Sequence, residues 1–263
     1  MISKQTIKYI RSLSLKKYRD AEKCFVAEGP KVVADLLPLL PCRDLYATKD
    51  FLATLSSQLL ERAGHVVEVV QEDLERLSLL KTPRAVLAVF SIPQYVHQND
   101  LASLRRLAAR NLCLALDCVQ DPGNVGTIVR AADWFGIEHI FASFDTADVY
   151  APKVVQATMG AIGRVKVHYV SLPDLLAGIE QCVPVYGTFL DGKSIYSQTL
   201  EPKGIIVMGN EGNGICDNVA QFTTHRLHIP HYPPDRSTSE SLNVAVATAI
   251  VCSAFRCQQM ADR

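Results

Sequence analysis

The chain has 263 residues, 48% hydrophobic and 21% charged, a globular composition with apolar mass for one large or two modest domains. Its 27 basic residues balance its 27 acidic ones, so the chain as a whole has no strong field to draw it to nucleic acid or membrane. No apolar run can span a bilayer, no secretory signal is visible, and the eight cysteines show no C-x-x-C or close Cys/His pairing, which points to free thiols in a reducing cytoplasm and no metal site.

Charge is nevertheless uneven along the chain. Lys4, Lys8, Arg11, Lys16, Lys17, Arg19 and Lys23 face only Asp20 and Glu22 in a segment that reads as one or two short helices. Such a basic patch either meets a polyanion through phosphate contacts or is a solvated helix face. FVAEGPKVVADLL then gives a strand end, a turn at Glu28-Gly29-Pro30 and a helix opened by the proline. Residues 43–48, 65–70 and 85–90 read as strands, and 51–63 and 71–80 as helices, an alternating α/β pattern long enough for a small domain. The polar break PQYVHQN at 93–99 is the candidate linker, which divides the chain into domains 1–95 and 100–263.

A second alternating series follows, with strands at 112–117, 138–143, 164–170, 184–190, 204–209 and 224–230 and helices near 125–135 and 152–160. Near-continuous apolar strands such as GIIVMG predict a mostly parallel sheet covered on both faces. Three connections stand out. In LALDCVQDPGNVGTIVRAADWFG, from Leu114, a strand ends at Asp117, Asp121-Pro122-Gly123-Asn124 reads as a tight turn, and the next helix carries Arg130 on the face of Gly126. Glycines at a helix start let an anion approach the backbone, yet the spacing matches neither dinucleotide nor P-loop motifs. Asn124 is either a turn or cap residue or part of a site, and Arg130 either a surface arginine or a ligand group.

In GIIVMGNEGNGI, from Gly204, three glycines fall within six residues around Glu211, which means positive φ, a ligand pressed on the backbone, or a glycine-rich link without one. In STSESLNVAVATAIVCSAFRC, from Ser237, Ser237 and Glu240 fit a capping box ahead of a helix buried from Val244 on. With the short strand at 227–230 before it, this order places Ser241, Leu242 and Asn243 where a sheet edge meets a helix start, where α/β proteins hold ligands. The competing reading is a well-capped core helix.

In this order and spacing, DPGNVGTIVRAA at Asp121, GNEGNGI at Gly209 and IP followed by ESLNVAVATAI at Glu240 resemble the three signature motifs of the SpoU/TrmH family of RNA ribose 2'-O-methyltransferases, of the SPOUT class. FVAEGPKVV is similar to the smaller α/β RNA-binding-like domain that often precedes it. The resemblance implies a fold: an α/β protein with a mostly parallel sheet and a carboxyl-terminal trefoil knot, closed by the helix after Leu242. It implies a function, S-adenosylmethionine-dependent methylation of a ribose 2'-hydroxyl in rRNA or tRNA. It also implies a homodimer, in the cytoplasm, with no membrane or DNA partner. Carried over by motif, the catalytic group is Arg130, Asn124, Glu211, Ser241 and Asn243. The cofactor group is Thr188, Leu190, Gly209, Asn210, Gly212, Ile229, Leu242 and Asn243.

The chain departs from the family in HYPPDRSTS between Pro230 and Glu240, longer than the short glycine-bearing link the family implies. Tyr232 and Arg236 are added candidates for RNA contact there, or the stretch is a stiff proline loop. Two other functions compete. A non-catalytic RNA-binding module is disfavoured by the intact Asn124, Arg130, Glu211 and Asn243. A doubly wound dinucleotide enzyme is disfavoured by its missing fingerprint.

Overall fold

The computed structural model describes residues 2–95, 100–233 and 241–261. In chain order the elements are α1 (Lys4–Ser12), α2 (Lys16–Glu22), β1 (Cys24–Glu28), α3 (Pro30–Leu36), β2 (Cys42–Ala47), α4 (Lys49–Leu52), α5 (Ser57–Glu61), β3 (Ala63–Glu68), α6 (Gln71–Leu77) and β4 (Val86–Ser91). There follow α7 (Leu101–Arg110), β5 (Leu112–Leu116), α8 (Pro122–Trp134), β6 (His139–Ala142), α9 (Pro152–Thr158), β7 (Lys166–Tyr169) and α10 (Leu172–Ala177). The last are β8 (Val185–Ser194), β9 (Gly204–Met208), α11 (Asp217–Ala220), β10 (His225–His228) and α12 (Val244–Ala261). Two compact units result, Met1–Gln94 with Asp148–Arg164, and Tyr95–Ala147 with Val165–Arg263.

The first unit is a four-stranded sheet in the order β1-β4-β2-β3, with β2 and β3 parallel and the other pairs antiparallel. Ile10, Val26, Tyr46, Leu74, Leu87 and Val89 fill a core between this sheet and the helices α1 and α6. Where the sequence predicts one helix over 51–63, two short ones form. Thr48 and Ser56 each accept a backbone N–H three residues on, so the helix is started twice.

Segment Asp148–Arg164 belongs to this unit although it lies far along the chain. Its helix α9 packs on β1, and Tyr150 sets its ring 5.0 Å from that of Phe25. Arg19 fastens it. This side chain is 3% exposed, donates to the carbonyls of Leu13 and Ser14 at 2.8 Å each, and pairs with Asp148 Oδ2 at 2.5 Å. Arg19 therefore leaves the expected basic patch, where Lys4, Lys8, Arg11, Lys16, Lys17 and Lys23 stay exposed.

The second unit is a six-stranded sheet in the order β10-β8-β9-β5-β6-β7, with each adjacent pair parallel. Strands β5, β6 and β9 are buried along their length, as their unbroken apolar runs predict. Parallel pairing brings every strand's carboxyl end to one edge. From β5 the chain winds through β6 to β7, then crosses to the far side for β8, with β9 seated against β5. The loops after β5 and β9 thus meet where the winding reverses, the place an open α/β sheet offers a ligand.

Two long helices lie along this sheet. Asp121 accepts the Asn124 N–H at 2.8 Å with Pro122 at the first helical position, so 121–124 is the opening of α8 and not the separate tight turn of the sequence reading. Asn243 does the same for α12, its Oδ1 accepting from Ala245 N at 3.0 Å and Val246 N at 3.3 Å. The Ser237/Glu240 capping box and Arg236 lie outside the described residues. Near the other end of α12, Arg256 donates to the carbonyls of Phe135 at 2.7 Å and Gly136 at 3.0 Å, which closes the last turn of α8. The two helices are therefore parallel and pinned at both ends. All eight cysteines are free thiols, and among the described residues no helix is long and apolar enough to cross a membrane.

Replacing Asp148 by alanine strands the buried Arg19 charge. Urea unfolding is expected to show a loss of about 3 kcal/mol, with Asp148→Asn, which keeps an acceptor oxygen, losing less.

Candidate active site

A chain of three side chains joins the loops at the reversal point. Asn124 Nδ2 donates to Glu211 Oε1 at 2.9 Å, and Asn124 Oδ1 accepts from Asn243 Nδ2 at 2.9 Å. Asn243 Oδ1 in turn caps α12. Each orientation forces the next. An ionised carboxylate only accepts, so Asn124 must turn its NH2 toward Glu211 and is left with oxygen to offer Asn243. Asn243 must then donate on that side and accept from the helix on the other.

Glu211 also takes the backbone N–H groups of Gln120 at 3.4 Å and Asp121 at 3.3 Å, which ties the β9 loop to the entry of α8. Burial pushes its carboxyl pKa up. The hydrogen bonds from Asn124 and from the backbone of Glu211, Asp121 and Gln120 outweigh that and hold it below the ordinary value. Asn210 completes the junction by donating to Cys118 O at 2.7 Å while its Oδ1 accepts from Gly212 N at 2.9 Å and Asn213 N at 3.1 Å.

The glycines here answer a steric demand. A Cβ on Gly209 would lie 2.2 Å from the carbonyl carbon of Gly214, because the loop folds back and pairs Asn210 with Gly214 through bonds of 2.9 and 3.0 Å. Gly214 itself has φ +69°, in the left-handed region. One consequence is a short, rigid loop with backbone groups at its surface.

On the other side of β9, strand β8 pairs Gly187 with Arg226 of β10 and resumes only at Lys193 with Leu227, which leaves 188–192 out of the ladder. Thr188 Oγ1 donates to Val207 O at 3.1 Å at the root of this excursion, and Leu190 is 70% exposed within it. Arg226 clamps it, with its guanidinium 3.5 Å from the Phe189 ring centroid and 2.6 Å from Asp191 Oδ1. Sequence reasoning missed this clamp, since no spacing links Arg226 to an acid 35 residues earlier. Ile229 is half-buried just past β10, and Ser241 and Leu242 are exposed before α12, Leu242 by 48%.

The structure thus brings Asn124, Glu211, Asn243 and Asn210 into one hydrogen-bonded junction, with Gly209 and Gly212 in its loop. Thr188, Leu190, Ile229, Ser241 and Leu242 are on segments that follow or flank the carboxyl edge. Arg130 stands apart from the network. It is exposed on α8, and among the described residues it has no hydrogen-bond or ion-pair partner. A free guanidinium on the helix that the junction anchors is suited to an anionic or hydroxyl-bearing ligand.

The chain is similar to known proteins over nearly its whole length. Residues 111–253 match the SpoU rRNA methylase family, and residues 4–88 match the MRM3-like substrate binding domain. The 23S rRNA (guanosine(2553)-2'-O)-methyltransferase RlmP of Bacillus subtilis is 29% identical over 249 residues, 94% of either chain. A solved TrmH-family protein from Porphyromonas gingivalis is similar at a TM-score of 0.85 and 44% identity, over 98% of this chain and 99% of that one. An AdoMet-bound rRNA methyltransferase from Sinorhizobium meliloti is similar at a TM-score of 0.84 and 28% identity, over 98% and 96% of the two chains.

The depressed Glu211 carboxyl gives a signed pH prediction. Its stabilisation is complete above the ordinary carboxylate value of 4.5 and is lost as pH falls through the lower folded value. Glu211→Gln is therefore expected to melt below wild type at neutral pH, with the gap closing as pH falls below about 4.5. A gap that stays constant with pH would show that the charge on Glu211 contributes nothing.

Proposed function

The chain belongs to the SpoU rRNA methylase family, and from that premise we propose how its own residues methylate a ribose 2'-hydroxyl of rRNA or tRNA with S-adenosylmethionine. The observation that carries the reading is the junction itself. Glu211, Asn124 and Asn243 occupy one another, so Arg130 is the charged group of the first motif left facing outward.

The residues present suit such a donor. Leu190, Ile229 and Leu242 offer exposed or half-buried apolar surface beside the backbone-lined loop at Gly209, the combination an adenine and its ribose require. We assign the donor's walls to these four with Thr188, Asn210, Gly212 and Asn243. When bound, S-adenosylmethionine supplies an electrophilic sulfonium methyl group.

What the chain must then do is position the 2'-hydroxyl in line and help it lose its proton. A guanidinium has five N–H donors and no acceptor, so Arg130 is no general base. It orients the hydroxyl and its neighbouring phosphate and stabilises the developing alkoxide, with the proton passing to a phosphate oxygen or to water. Asn124 sets the approach of the ribose through its fixed amide, and Glu211, Ser241 and Asn243 position the nucleotide by holding the loops.

Residues 1–95 bind RNA, with Lys4, Lys8, Arg11, Lys16, Lys17 and Lys23 exposed to its phosphates, and residues 100–263 carry the chemistry. The helix after Leu242, α12, closes the trefoil knot. Two chains associate as a homodimer, in keeping with the exposed Trp134, Val246 and Met260 on the paired helices α8 and α12. Free thiols throughout suit the cytoplasm.

The Bacillus subtilis relative is named for a guanosine of 23S rRNA, which makes rRNA transcripts the first substrates to assay and tRNA transcripts the second. Arg130→Ala is expected to lower methyl transfer from labelled S-adenosylmethionine by roughly 10²–10³-fold. Calorimetry should find donor affinity unchanged in the same variant. Equal turnover by variant and wild type would remove Arg130 from its role.

A further inference from the structure

One aromatic side chain at the carboxyl edge of the sheet is left largely exposed. Ser143 to Thr146 form a β-turn directly after β6, closed by Thr146 N–H donating to Ser143 O at 3.0 Å. The turn is bolted to the end of β5. Ser143 N–H donates to Leu116 O at 3.0 Å, and Thr146 Oγ1, buried, donates to the same carbonyl at 3.1 Å. Ser143 Oγ accepts the Cys118 N–H at 2.9 Å, which joins the turn to the loop that enters α8. On this rigid support Phe144 is 67% exposed.

Turn tips ordinarily take Gly, Pro, Asn, Asp or Ser, and a phenylalanine there forgoes the burial that usually accounts for its ring. Its position suggests what covers it. The strands run β10-β8-β9-β5-β6, with the donor walls on β8, β9 and β10 and Asn124 and Arg130 after β5. The turn after β6 lies one strand further, about 5 Å along the edge, on the side away from the donor. That is the reach of a nucleobase from its own or a neighbouring ribose. Asp145, exposed beside Phe144, sets its carboxylate 4.0 Å from the Cys118 thiol and repels phosphate from the turn. A π-face flanked by negative charge suits a base and not a sugar–phosphate backbone.

We propose that Phe144 is a stacking platform for a base of the substrate RNA, at or next to the nucleotide whose ribose is methylated. The proposal rests on the reading of the β5/β9 edge as an RNA methyltransferase site. Stacking of an unpaired base on an aromatic ring is the usual way proteins grip single-stranded RNA.

The test uses the full chain. With the single tryptophan removed by Trp134→Phe, Phe144→Trp places an indole on the turn. A short mixed-sequence single-stranded RNA should quench its fluorescence, and inorganic polyphosphate of equal charge should not. On unmodified rRNA and tRNA transcripts, Phe144→Ala and Phe144→Leu should lose about tenfold in kcat/KM, carried by KM for RNA, while Phe144→Tyr stays near wild type. Donor affinity and melting temperature should not move. Absent quenching, equal quenching by polyphosphate, or alanine and leucine variants as active as wild type would each overturn the platform. A wild type that binds donor but methylates no transcript would refute the enzyme reading, and the quenching result would still decide whether a base stacks on the turn.

Discussion

Asn124 uses both ends of its amide, donating to Glu211 and accepting from Asn243, and each partner belongs to a different loop. The partners are 87 and 119 residues away in sequence, so one side chain closes contacts that no local propensity supplies. An amide suits this place because it is the small group that donates at one end and accepts at the other. Aspartate would set a second carboxylate against Glu211, and leucine would leave the Asn243 donor without its acceptor.

The helices make that contact possible. α8 and α12 are parallel and held together at both ends, by the Asn243 to Asn124 bond at their starts and by Arg256 on the Phe135 and Gly136 carbonyls at the end of α8. The two clamps fix the axial position of α8, and with it where Arg130 emerges. Beneath them the all-parallel sheet delivers the loops after β5 and β9 to one edge, because those strands are neighbours. The rigidity of the glycine loop at Gly209 follows from its folding back on Gly214 with no room for a side chain.

Much of this was readable from residues alone, and the exceptions have physical reasons. Buried strands such as β5 and β9 declared themselves through unbroken apolar runs, and the loops after them through glycine and asparagine clusters. Asn124, Glu211 and Asn243 each stand in a recognisable motif, yet their mutual bonding is a long-range fact that spacing cannot express. Asp-Pro-Gly-Asn has turn chemistry, so sequence alone predicts a turn at the opening of α8. The structure uses the same aspartate and proline as cap and first helical residue. By sequence Arg19 is one more cation in a basic run, and only the fold buries it against Leu13, Ser14 and Asp148. The Arg226 clamp on Phe189 and Asp191 depends on a break in register that no periodicity announces.

Glu211 and Asn243 act on each other through the oriented amide of Asn124. A double-mutant cycle on stability, with Glu211→Gln, Asn243→Ala and the pair, measures it directly. A relay predicts a coupling of about 1 kcal/mol between the two side chains, and a further cycle in an Asn124→Ala background should abolish it. Effects that add to within about 0.3 kcal/mol in the native background would contradict the relay and reduce the junction to separate local contacts.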